Sequence, residues 1–157
     1  NMLDDCSRMQ VGGSVYESEC LAAYIHFLKN AFEAYGMPLQ IYVDYAAFFK
    51  SPLEDGTTKL KDRLAFYDVS FIYANSPEAK GKVERLHQVW QGRLPAFFSK
   101  NRAPCELGEC NAQIAGLVAW RNGHETHRET SMTAQAAWAS GKSSARSSLG
   151  RRVPVGH

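Results

Sequence analysis

The run Leu39-Gln40-Ile41-Tyr42-Val43 is rich in β-favouring residues and ends on Asp44, with Tyr45, Phe48 and Phe49 beyond it. It reads as a buried strand carrying a carboxylate at its C-terminal tip. Before it, Leu21, Tyr24, Ile25, Leu28, Phe32 and Tyr35 recur at helical spacing after Ser18 and Glu19. Gly36, with Pro38 just beyond, closes that pattern and bounds an amphipathic helix. After it, Ser51-Pro52 and Glu54-Asp55-Gly56 form a turn-rich loop. Thr58 then caps a short helix from Lys59 to Tyr67, and Val69-Ser70-Phe71-Ile72-Tyr73 is again strand-like. Strand, helix and strand in alternation predict an α/β sheet domain.

Further out, the front segment from Leu3 to Tyr16 places Gly12-Gly13 between two short stretches and reads as two short strands or one bent strand. On the other side, the chain from Asn75 starts as a loop and becomes a helix. There Val83, Leu86, Trp90 and Leu94 form an apolar stripe, while Lys80, Glu84, His87, Gln88 and Gln91 share the opposite face. A second helical region spans roughly Gly108 to Arg121, and a short helix lies near Thr133 to Trp138. From Ser140 the chain is rich in Gly, Ser and Arg and has no acidic residue, as expected of a disordered basic arm. The expected organisation is a core over 1–100, a helical extension over 101–139 and a basic tail over 140–157.

The length of 157 residues suits one domain with an appendage, and 45% hydrophobic residues supply a core. No window of eighteen uncharged apolar residues exists, which excludes a membrane-spanning helix of ordinary type. The start lacks the pattern of a secretory signal, and position 1 is Asn, not Met, which points to a fragment. A net charge of +2 is too mild to demand a nucleic-acid partner by itself. Cys6, Cys20, Cys105 and Cys110 form no C-x-x-C pair, so free cytosolic thiols are the default.

Two carboxylates are placed for chemistry. In α/β sheets the C-terminal ends of strands gather at the ligand crevice, which is where Asp44 falls. Glu84 lies on a helix among Lys80, Lys82, Arg85 and His87. Carboxylates of this kind suit Mg²⁺, which takes one or two of them together with substrate phosphates. The plainer readings are a turn or cap for the Asp and a solvated ion-pairing face for the Glu. Cys105, Cys110, His124 and His127 suggest a zinc site only weakly, because their spacing departs from common fingers.

The string Ile41 to Phe49, preceded by Tyr35-Gly36-Met37-Pro38, resembles the segment around the second catalytic Asp of insertion-sequence transposases of the retroviral-integrase superfamily, the DDE group. Ser76-Pro77-Glu78-Ala79-Lys80-Gly81-Lys82-Val83-Glu84-Arg85-Leu86, continued by Trp90-Gln91-Gly92-Arg93-Leu94, resembles their third block, where the Glu before Arg is the last metal ligand. Leu3-Asp4-Asp5-Cys6-Ser7-Arg8 is similar to the second strand of that core. Trp120-Arg121-Asn122, His127-Arg128-Glu129 and Ala136-Ala137-Trp138 are similar to the region that follows it.

The resemblance implies a ribonuclease H-like mixed sheet with flanking helices and a helical C-terminal extension. It also implies a triad of two Asp and one Glu holding two Mg²⁺ or Mn²⁺ ions. Asp44 carries over as the second Asp and Glu84 as the Glu. The first Asp, with its strand, falls upstream of residue 1, and Asp4 and Asp5 match the second strand instead. The implied activity is DNA transposition by strand cleavage and strand transfer, with transposon ends and target DNA as partners and a homo-oligomer as the working form. The expected location is the bacterial cytoplasm at the nucleoid. Lys80, Lys82 and Arg85 are the candidate DNA contacts, a charge pair with Glu84 or Glu78 being the alternative for Lys80 and Arg85. With one carboxylate missing, the expectation for this chain alone is an inactive fragment; the rival is a degenerate relic that at most binds DNA.

Overall fold

The computed structural model describes residues 1–43, 59–73, 77–101, 104 and 106–144. Two short ladders and five helices make up these residues. Strands β1 (Met2–Leu3) and β2 (Gln10–Gly12) pair antiparallel, and β3 (Gln40–Val43) and β4 (Ser70–Tyr73) pair parallel in the register Gln40 to Ser70 through Val43 to Tyr73. Helix α1 (Leu21–Tyr35) links the ladders, α2 (Lys59–Phe66) lies between β3 and β4 in sequence, and α3 (Pro77–Lys100), α4 (Leu107–His124) and α5 (Ala134–Ser144) follow. The architecture is mixed α/β, as the alternation predicts.

The front segment does form two strands, but the chain reverses at Asp4–Met9 and not at the glycine pair. The Asp4 carboxylate makes this turn: its Oδ2 accepts from the Ser7 backbone N–H at 2.7 Å and from Ser7 Oγ at 2.6 Å. Arg8 then takes a left-handed conformation, φ 63°, and Asp4 N–H donates to the Met9 carbonyl. Gly12 serves a different purpose, close packing: a Cβ there would sit 2.6 Å from Phe27 Cζ of α1.

Helix α1 matches its periodicity, with Leu28 and Ala31 buried and Gly36 ending it at φ 91°. Its N-cap is Cys20, two residues beyond the Ser18 start signal. Strand β3 is half-buried, not buried: Ile41 and Val43 face the core, while Tyr42 is 57% exposed. That alternation marks a strand covered on one face. Leu28, Ile41, Val43, Leu60, Leu64 and Val69 form the core of this half.

Helix α3 begins with Pro77 at its first position, a site that needs no N–H donor. Its expected apolar stripe is real, since Leu86 and Trp90 are buried and pack with Ile114 and Val118 of α4. A third cluster joins Met9 and Val11 to Ala134, flanked by Tyr35 and Trp138, whose rings meet edge to face. Strand β1 connects these clusters. Met2 packs toward the first and third, and Leu3, pointing the other way, packs toward the α3/α4 cluster. The segment after residue 100 packs against the rest through these clusters. Helix α5 also runs through Ser144, so the backbone of 140–144 continues a helix where a disordered arm is expected.

Candidate functional site: a basic pocket beside helix α3

Of the expected site residues, Asp44 lies outside the described residues, as do Thr58, Cys105 and the tail from 145 onward. What is described is its approach: β3 ends at Val43, at the C-terminal end of a parallel ladder, and Asp44 is the next residue in sequence. Lys80 falls in the first turn of α3. Glu84 is exposed on α3 and makes no ion pair among the described residues.

Lys82 and Arg85 are on a different stripe of that helix from Glu84, since two residues turn an α-helix by about 200° and one by about 100°. They face a pocket of about 240 Å³ together with Arg8, Arg121, His127 and Arg128. Four segments build it: the Asp4–Met9 turn, α3, the last turn of α4 and the tight loop closed by the Thr126–Thr133 bridge. In that loop His127 N–H donates to the Met132 carbonyl and Ser131 N–H to the His127 carbonyl. The structure thus brings Lys82 and Arg85 together and does not bring Glu84 to them.

Carboxylates neutralise part of this charge. Asp5 accepts from Lys82 Nζ at 2.6 Å and from Arg8 Nη1 at 3.3 Å, and these two cations hold its carboxyl below the ordinary carboxylate range. Glu129 takes Arg8 Nε at 3.0 Å and Nη2 at 2.5 Å and is likewise lowered. Glu125 pairs with Arg93 and lies 3.4 Å from Arg121 Nε, without the alignment of a hydrogen bond.

Two inner groups are not satisfied. Arg121 is 7% exposed, and its buried Nε and Nη1 have no hydrogen-bond partner. Burial pulls its pKa down, and only in part does Glu125 oppose this. His127 Nε2 is also buried without a partner, and burial followed by the nearby Arg121 charge lowers its pKa from 6.5. Arg8, Arg121 and Arg128 have no assigned role in the sequence reading, and His127 enters it only through the weak zinc alternative. One signal was available for Arg121: it follows Ile114 and Val118 at helical spacing, a cation on the apolar stripe of α4.

The zinc alternative finds no support in this geometry. Cys110 sits in the first turn of α4 and His124 in its last, about 21 Å apart along the axis, too far to share one ion. Among the described residues no group of three His, Cys, Asp or Glu is placed to hold a metal.

Against known proteins, the chain is 31% identical over 123 residues to the transposase for insertion sequence IS1202 of Streptococcus pneumoniae, a match covering 74% of this chain and 26% of that protein. It is 29% identical over 97 residues to a protein described as a transposase, y4bF, of Sinorhizobium fredii, covering 59% of this chain and 21% of that one. The chain is similar to transposases. It spans about a quarter of the length of the first relative and a fifth of the second. No family model matches it. No helix among the described residues is long and apolar enough to cross a membrane.

Proposed function

We propose that this chain is part of the catalytic core of a DDE-type transposase with a ribonuclease H-like fold, acting on DNA by metal-dependent strand cleavage and strand transfer. The observation that supports this most is the parallel β3–β4 ladder. Its strand β3 stops at Val43, directly before Asp44 in sequence, in a chain similar to transposases. Side chains at that end of a parallel sheet converge on the ligand crevice. The four described strands form two separate ladders, one antiparallel and one parallel, so both pairing senses of a mixed sheet occur among them.

Asp44 and Glu84 are the residues that would hold Mg²⁺ or Mn²⁺. Their all-oxygen donor chemistry suits such ions, and the exposed Glu84 is accessible to one. A bound pair of these ions would activate an attacking oxygen and stabilise a leaving one. Water displaces the 3′ oxygen from phosphorus at a transposon end, leaving a 3′ hydroxyl. That hydroxyl attacks a target phosphodiester in line, joining the strands and releasing a target 3′ oxygen. No covalent protein intermediate is required, and the protein's contribution is alignment and charge. Lys82 and Arg85 contact phosphates from the pocket side of α3, with Lys80 in the first turn of the same helix.

The deciding experiment is a strand-transfer assay with a transposase carrying this sequence. Activity should be present with Mg²⁺ and lost in both Asp44→Asn and Glu84→Gln, whereas the 157-residue chain alone should show little or no cleavage. Normal strand transfer by Glu84→Gln would refute the assignment.

A further inference from the structure

We propose that the pocket between the Asp4–Met9 turn, α3 and the Thr126–Thr133 loop is a binding site for the phosphoryl oxygens of a nucleic-acid backbone. Arg121 and His127 act as its inner donors, and Arg85 and Arg128 as its rim. The oxyanion chemistry stands on the geometry alone; only the identity of the ligand as a polynucleotide rests on the function proposed above.

Charge supports the assignment first. Five cations line the pocket, Arg8, Lys82, Arg85, Arg121 and Arg128; against them stand Glu129 in the lining and Asp5 and Glu125, which pair with these cations from beside it. All three carboxylates are engaged with Arg8, Lys82, Arg93 or Arg121. Arg85 and Arg128 make no ion pair among the described residues, and both are exposed. The surplus positive charge therefore lies at the rim and in the floor.

Unsatisfied donors point the same way. A buried guanidinium with two nitrogens lacking a hydrogen-bond partner is costly, because the Glu125 carboxylate 3.4 Å from Nε offsets its desolvation only in part. His127 Nε2 is a second buried nitrogen without a partner in the same pocket lining. A tetrahedral anion with several acceptor oxygens would satisfy both. Arginine's planar fork matches phosphate oxygens, and a charge-assisted bond to phosphate is stronger than one between neutral groups. The exposed rim cations extend the site outward, as a strand with successive phosphates requires.

The test is a titration of the 157-residue chain, carrying Tyr42→Lys at an exposed position of β3 to limit association, with inorganic phosphate at low salt and without divalent metal, following the Arg121 Nε–H and His127 ring resonances. Both should shift saturably. The double variant Arg85→Ala/Arg128→Ala, which removes only exposed side chains, should weaken binding by about tenfold or more, the scale of one charge-assisted hydrogen bond. The control Lys29→Ala, a cation paired with Glu33 on α1, should bind as the unmodified chain does. Oligothymidylate should displace phosphate, with a salt dependence shallower by about 1 for each rim cation removed. Unmoved Arg121 and His127 resonances, or unchanged affinity in the double variant, would overturn the site. Phosphate binding that the oligonucleotide fails to displace would overturn the backbone as its ligand and assign the pocket to free phosphate. Because metal, Asp44 and Glu84 take no part, these outcomes are independent of whether strand transfer is found.

Discussion

The side chain of Asn122 acts as a strand partner for Gln10. Its Oδ1 accepts the Gln10 backbone N–H at 3.0 Å, and its Nδ2 donates to the Gln10 carbonyl at 2.9 Å. Both residues are buried, so a helix side chain completes the ladder edge of β2 and fixes α4 against the sheet. Asn122→Leu leaves a buried N–H and a buried carbonyl unpaired. The expected loss is about 2–4 kcal/mol of stability, from the cost of two unsatisfied buried groups, read by urea denaturation. Asn122→Leu with unchanged stability would mean that water or another group replaces both bonds.

The Gln10 side chain ties the same strand to α3, because its Oε1 accepts from Trp90 Nε1 at 2.9 Å. Trp90→Phe keeps an aromatic ring in the cluster but removes the donor and some volume. A destabilisation of about 1–3 kcal/mol follows from the orphaned acceptor and the small cavity. The companion variant Gln10→Leu/Trp90→Phe should recover only part of it: neither half of the Trp90–Gln10 bond is left stranded, but Asn1 Oδ1 and the Gly12 carbonyl lose the Gln10 Nε2 donor. A double-mutant cycle in urea checks the coupling.

How far such contacts were legible in the sequence depends on their range. Helix α1 is plain because Leu21, Tyr24, Leu28 and Phe32 recur locally and Gly36 ends the pattern. The apolar stripe of α3 is plain for the same reason. The Asp4–Met9 turn is not, because it contains neither Gly nor Pro and depends on one carboxylate reaching Ser7. The one-sided burial of β3 is not legible because Ile41, Tyr42 and Val43 are all β-favouring, so burial on one side or both is decided by neighbours distant in sequence. The basic pocket was half visible. Lys82 and Arg85 draw attention as a cluster, but Arg8, Arg121 and Arg128 join them only when three other segments fold against α3.

Glu84 offers a clean separation of activity from stability. It is exposed and makes no ion pair among the described residues, so Glu84→Gln should change unfolding free energy by no more than about 0.5 kcal/mol. Strand transfer by a transposase carrying the substitution should nonetheless fall by more than about a hundredfold, the upper scale lost when even the outer partners of metal ligands are disturbed. Equal melting temperatures with unequal activities is the expected pair of results. A matching fall in both would reassign Glu84 to a structural role.

The basic pocket also makes stability depend on pH in one direction. The pKa of His127 is held below 6.5 by burial and then by Arg121 and Arg8, with Glu125 and Glu129 opposing. A group lowered in the folded state binds more protons when unfolded, so its contribution is complete above about pH 6.5 and is lost as pH falls. Asp5 and Glu129, lowered chiefly by hydrogen bonds from Lys82 and Arg8 respectively, follow the same sign below their ordinary values of 3.8 and 4.5. His87 is likewise lowered from 6.5 by burial, so melting temperature should decline in two stages, from pH 7 toward 5 through His127 and His87 and again below about pH 4.5 through the carboxylates. His127→Gln should shrink the first stage and leave the second. A first stage of undiminished size in that variant would assign it to His87.

The strand edges set the last expectation. Among the described residues each ladder has two strands, so β3 and β4 each present an edge, whereas Asn122 already covers that of β2 at Gln10. Strand β3 adds exposed apolar surface, with Leu39 at 74% and Tyr42 at 57% exposure beside it. Unpaired backbone groups next to β-favouring, exposed side chains are the usual template for association between chains. The 157-residue chain should accordingly elute as mixed oligomers or aggregates at micromolar concentration and bind a hydrophobic dye. Tyr42→Lys places a charge on that strand without touching Ile41 or Val43, the two residues that face the core. It should shift the chain toward monomer while leaving its helical circular dichroism unchanged, because a lysine on an edge strand disfavours further pairing. A monodisperse monomer for the unmodified chain would show that the edges are already protected.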